Sequence, residues 1–177
     1  APEFFSLTPE RLVIQGFRNV MAAHDLSDAA CWEQAWTAYI GSLGSGPARR
    51  LMGELQFWTR AIRSHAQKPM RYFPCTCRHI CHDECMAVSA LAAAQAGDRA
   101  CADLAAIHLL GTQDAHALGE LWHASWHFAT ALAMENLTLY PVTAAVVQSI
   151  SAMEERHAGA ERLALLHHEQ QRGRVLR

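Results

Sequence analysis

The pattern that most constrains this chain is the recurrence of apolar residues every three to four positions, repeatedly restarted by helix-opening residues. Thr8-Pro9-Glu10 combines a capping residue, a proline and an acid, and Leu12, Val13, Phe17, Val20 and Met21 follow at helical spacing. Ser27 and Asp28 open a second helix carrying Trp32, Trp36, Tyr39 and Ile40. Gly41 to Gly46 reads as a break, after which Pro47 opens a third helix with Leu51, Leu55, Trp58 and Ile62 on one face. Lys68 to Pro74 reads as a non-helical crossover.

Four further helices are expected beyond it. The fourth spans about Thr76 to Ala96. The fifth opens at Asp98 after the turn at Gly97. The sixth runs from Gly111-Thr112 to about Glu135, and the seventh from Pro141 to as far as Gln171. Extended β-branched stretches are almost missing. The sequence therefore predicts an all-α fold of about six to seven helices in one domain spanning 1–177. Short connections between the last four helices favour antiparallel neighbours, so residues 76–171 are expected to form a four-helix bundle core on which the helices of 1–67 pack.

Hydrophobic residues make up 51% of the 177 positions, enough to build a sizeable core without staples. The net charge is −2 and no basic stripe runs along the chain, which argues against nucleic acid as a partner. No apolar run reaches the ~18 residues of a membrane span, so no membrane partner is expected. No leader pattern is visible, which points to a cytoplasmic location, although a chain starting at Ala1 is also compatible with a removed leader. The helix faces leave room for a homo-oligomer.

The unusual counts are six cysteines and eleven histidines. Four of the cysteines, Cys75, Cys77, Cys81 and Cys85, fall within one short segment. A disulfide framework suits small domains with poor cores, which this is not. Metal-ligand chemistry ranks above it, and zinc, which takes four Cys or His donors, is the expected ion. On a continuous helix Cys77, Cys81 and Cys85 would share one inward face with Glu84, Val88 and Ala92. Residues eight apart on a helix are ~12 Å apart, so Cys77 and Cys85 cannot share one ion. Two sets remain: Cys75, Cys77 and Cys81 at an irregular start, or Cys81 and Cys85 with His108 from the next helix. Cys81 belongs to both. Against this stands the ordinary tendency of cysteine to be a buried apolar residue, which is the expected role of Cys101 and Cys31.

A second candidate centre lies on the last helices. His116, Glu120, His123 and His127 fall within an arc of about 60°. The pair Glu120-x-x-His123 and its counterpart Glu154-x-x-His157 have the spacing used by di-iron carboxylate bundles, which makes iron the alternative cofactor. The clear apolar face of the sixth helix (Leu118, Leu121, Phe128, Leu132) lies opposite the histidines, so that stripe is expected to face water. His157 shares its face with Val146, Ile150 and Met153. Haem is disfavoured, because Cys77-x-x-x-Cys81-His82 has one residue too many for the usual attachment motif. His82-Asp83, with His65 and Asp114, is the most that can be gathered for a metal-dependent phosphohydrolase. No nucleophile triad, phosphate loop or His-Glu-x-x-His motif is present. The expected role is thus metal binding, with a binuclear iron protein or a helical interaction protein with structural cysteines as alternatives.

Overall fold

The computed structural model describes residues 8–156. It is an all-α helical bundle, with no strand among the described residues. The helices are α1 (Thr8–Asp25), α2 (Ala29–Leu43), α3 (Ser45–His65), α4 (His82–Gln95), α5 (Arg99–Leu110) and α6 (Ala115–Met134). A seventh, α7, runs from 144 to 156 within the described residues. No described helix is long and apolar enough to cross a membrane.

Local chemistry fixes most boundaries where the sequence places them. Asp28 caps α2 by accepting from the Ala30 N–H at 2.9 Å, and Asp98 caps α5 by accepting from the Cys101 N–H at 2.9 Å. Gly97 adopts φ 75°, a left-handed conformation that glycine enters without a Cβ penalty. It folds α5 back onto α4, where the two pack extensively.

Besides α7, which begins at 144 rather than at Pro141, three boundaries differ from expectation. The break over Gly41 to Gly46 shrinks to Gly44 alone, because Gly41 and Gly46 continue their helices; with φ 80° only Gly44 needs special freedom. The cap of α6 is Asp114, which accepts from the Ala117 N–H at 2.8 Å, rather than Thr112. The third difference matters most: α4 begins at His82, not Thr76. Residues 66–81 are a long non-helical connection, and its backbone groups are claimed by side chains from elsewhere.

The core is continuous. Buried residues of α1, α3, α4, α5 and α6 form one hydrophobic cluster, joined by Ala35 and Tyr39 of α2 and Val147 of α7. Its centre is aromatic. Trp58 of α3 lies between Phe17 of α1 and Phe128 of α6, at centroid distances of 5.7 and 5.6 Å, and its indole N–H donates to the Ser125 hydroxyl at 3.1 Å. α3 and α4 both pack on α6. Cys101 is buried in this core, as expected of a cysteine that acts as a small apolar residue, whereas Cys31 is only half-buried and lies outside it.

A close approach occurs at Gly16, on the face of α1 that meets α2 and α3. A Cβ at this position would lie 2.6 Å from the Tyr39 hydroxyl oxygen and 2.8 Å from a Leu55 methyl carbon. Both neighbours are fully buried, so any shift must be absorbed by the core. Helix propensity favours alanine over glycine by about 1 kcal/mol, but the overlap outweighs it. Gly16→Ala is therefore expected to destabilise the fold by about 1–3 kcal/mol in urea denaturation, whereas a stabilised variant would show that α1 can lift off its neighbours.

Candidate functional site

The site is built around a charge that the core cannot leave unpaired. Arg18, on the inner face of α1, is fully buried. Its guanidinium meets the equally buried Glu84 of α4, with Nε to Oε1 at 2.5 Å and a second terminal nitrogen to Oε2 at 2.9 Å. The remaining donors are taken by carbonyls of the connection: Pro74 at 3.3 Å, Cys77 at 2.7 Å and His79 at 2.5 Å. Glu84 returns the pattern, accepting the Phe73 N–H at 3.0 Å and the Cys81 N–H at 2.9 Å. The non-helical segment is thus wrapped around an ion pair, and its backbone groups satisfy that pair.

Asp83 holds the other half of the segment. It is buried and accepts from the Lys68 ammonium at 2.7 Å, the Arg71 N–H at 3.0 Å and the Arg71 guanidinium at 3.5 Å, with His82 Nδ1 at 3.2 Å. Burial alone would raise its carboxyl pKa, but the hydrogen bonds from His82, Lys68 and the Arg71 backbone hold it well below the usual carboxylate range.

These contacts explain why α4 starts at His82. Cys81 occupies the cap position, and Glu84, three residues on, returns to its N–H, which is the acidic half of a capping box. Cys81-x-x-Glu84 has the spacing of that signature with cysteine in place of serine or threonine. The signal was present in the sequence but hidden by the choice of residue.

The cysteines expected to act together are consequently held apart. The Cys75 thiol lies 2.9 Å from the Asn19 side-chain oxygen, on the α1 side. Cys77 sits in the turn closed by its own N–H on the Pro74 carbonyl at 2.9 Å. Cys81 donates to the Arg71 carbonyl at 3.0 Å. Only Cys81 and Cys85 remain on a common helical turn, closed by the Cys85 N–H on the Cys81 carbonyl at 3.0 Å. His108 packs edge-on against His82, at 6.4 Å between ring centroids. Burial and the neighbouring His82 lower its pKa. Among the described residues, no three of His, Cys, Asp and Glu are grouped to hold an ion.

The alternative centre is likewise not assembled among the described residues. His116, Glu120, His123 and His127 are exposed on α6, as their position opposite its apolar face predicts. Glu154 lies elsewhere, bound to Arg71 at 2.6 Å. Glu84 is taken by Arg18. His157 lies outside the described residues.

What the segment does border is a pocket of about 420 Å³. Ile14 of α1, Ile80 and Val88 form one wall, and Val142, Val146, Ile150 and Met153 form the other. Cys81, His82, Glu84, Cys85, Ser89 and Glu154 supply its polar groups. The two carboxylates are already paired, with Arg18 and Arg71. Burial, the largest influence on both thiols, pushes Cys81 up to about 12 and Cys85 up to about 11, with the charge of Glu84 adding to the rise, so both are protonated at neutral pH. The Val146, Ile150 and Met153 stripe on α7 was legible as an apolar helix face; the pocket it faces was not.

The ion pair yields a cooperative prediction. Arg18→Met and Glu84→Leu should each cost about 3–5 kcal/mol, since each strands a buried charge, and the double variant should cost clearly less than their sum. Additive losses in a denaturation double-mutant cycle would contradict the pairing. Asp83 yields a pH dependence. A carboxylate depressed in the folded state stabilises above its unfolded value of about 4 and loses that contribution as pH falls. The stability gap between the wild-type chain and Asp83→Asn should therefore be widest near neutrality and narrow below about pH 4. A gap independent of pH would show that Asp83 acts by shape alone.

No family model, curated protein or solved structure matches the chain.

Proposed function

We propose that the chain is a binding module whose ligand is a small, uncharged, largely apolar molecule held in the pocket between α1, α4 and α7. The observation that carries this reading is the combination of apolar walls with internally neutralised charges. The volume of about 420 Å³ falls in the range of small-molecule sites. Glu84 and Glu154, the two carboxylates at the pocket, each have an arginine partner, so a charged ligand would have to break an existing ion pair. Val146 and Met153 keep 45% and 51% of their surfaces exposed, which leaves apolar area on α7 for a ligand to cover.

A second reading keeps the zinc expected from the cysteine segment. It is supported by Cys81 and Cys85 both lining the pocket, Cys81 being the residue common to the two ligand sets expected from the sequence. Zinc would need a further donor and would have to displace the protons of both thiols.

The neutral dye Nile red, whose emission rises in apolar surroundings, tests the first reading on the full chain. Wild-type protein is expected to bind one dye, and Ile150→Trp, which fills the pocket from α7, is expected to weaken binding by at least about tenfold. Equal binding by both would refute the pocket. Elemental analysis of the same preparation discriminates the second reading: about one zinc per wild-type chain, lost in Cys81→Ser, would favour the metal.

A further inference from the structure

Cys81 and Cys85 are the two thiols at the pocket. The Cys85 N–H bonds to the Cys81 carbonyl at 3.0 Å, so the two residues flank the first turn of α4, and both line the same pocket. Cys81 is the cap and Cys85 is on the first turn, and both border the apolar walls. A ligand that requires two thiolates would place two negative charges among Ile14, Val88 and Ile150, next to Glu84. A ligand that condenses with neutral S–H groups and releases water adds no charge.

Trivalent arsenic bearing one organic substituent meets both conditions. The acid R–As(OH)₂ reacts with two Cys–SH to give R–As(S–Cys)₂ and two molecules of water. Two As–O bonds break and two As–S bonds form. Each thiol proton leaves on a departing oxygen, and arsenic stays trivalent throughout. The product is uncharged, and R is the small apolar body that the pocket fits. We propose that Cys81 and Cys85 form a dithiol clamp for trivalent organoarsenicals, with the organic group lying in the pocket. This rests on the apolar-pocket reading and names its ligand class. Cys81 must release the Arg71 carbonyl to take part, a cost limited to one hydrogen bond.

The test uses phenylarsine oxide, which hydrates to phenylarsonous acid, on the full chain after phosphine reduction and chelator treatment. Intact mass spectrometry is expected to show one phenylarsenic unit per chain with loss of both thiol hydrogens, stable to excess monothiol. Cys81→Ser and Cys85→Ser should each weaken capture by at least about tenfold, since one thiol cannot chelate, while Cys75→Ser and Cys77→Ser retain it. Serine is a good cap, so circular dichroism of Cys81→Ser should match the wild-type chain. The methyl analogue should bind at least about tenfold more weakly than the phenyl compound, because less apolar surface is buried. No adduct, or an adduct lost only with Cys75 or Cys77, overturns the clamp even if Nile red binds. Equal phenyl and methyl capture that still requires Cys81 and Cys85 supports the clamp and overturns the pocket.

Discussion

The structure depends on one buried ion pair. Arg18 and Glu84, 66 positions apart in sequence, are both fully buried. An ion pair in an apolar core is stable only when its remaining donors and acceptors are satisfied. Here they are satisfied by five backbone groups of the segment between α3 and α4. This reverses the usual relation of loop and core. The connection does not merely join helices, because its carbonyls and amides complete the solvation of a charge. Removing the pair would strip these five backbone groups of their partners, and the Cys81 N–H at the start of α4 would lose the Glu84 carboxylate.

The position of the thiols follows from this constraint. Because the backbone over 73–81 is committed to Arg18 and Glu84 rather than to a helix, the cysteines do not align on one face. Cys75 is drawn toward α1, Cys77 is placed in a turn, and Cys81 and Cys85 are left together at the pocket. Asp83 reinforces the arrangement from the other side through Lys68, Arg71 and His82. Charge is thereby consumed around the cavity, and its interior is left to apolar walls and neutral S–H groups.

The helices were largely legible in the sequence because their signals are local. Asp28 and Asp98 act as caps within three residues of their partners, Gly97 turns the chain by its own dihedral freedom, and Trp58 and Phe17 lie on apolar stripes that only a core can bury. The solvated histidine stripe of α6 could be read for the same reason. The start of α4 could not. Helical spacing of Cys77, Cys81 and Cys85 suggests continuity, and what breaks it is Arg18, 59 residues away from Cys77. Arg18 itself appears in the sequence as an ordinary basic residue on an amphipathic helix. Long-range partners of this kind leave no trace in periodicity or spacing. The pocket was partly legible, since Val146, Ile150 and Met153 form a recognisable stripe, but nothing local shows that they face Cys81 and Cys85.

The central claim is that the space beside this network receives a neutral apolar molecule. It is tested most directly by methyl-resolved NMR of the full chain titrated with naphthalene. The account predicts saturable shifts concentrated at the Ile14, Ile80, Val88, Val142, Val146 and Ile150 methyl groups, which surround the cavity. The methyls of Leu51 and Leu55 in the central core should stay in place. Shifts scattered over the surface, or none at these six residues, would contradict it.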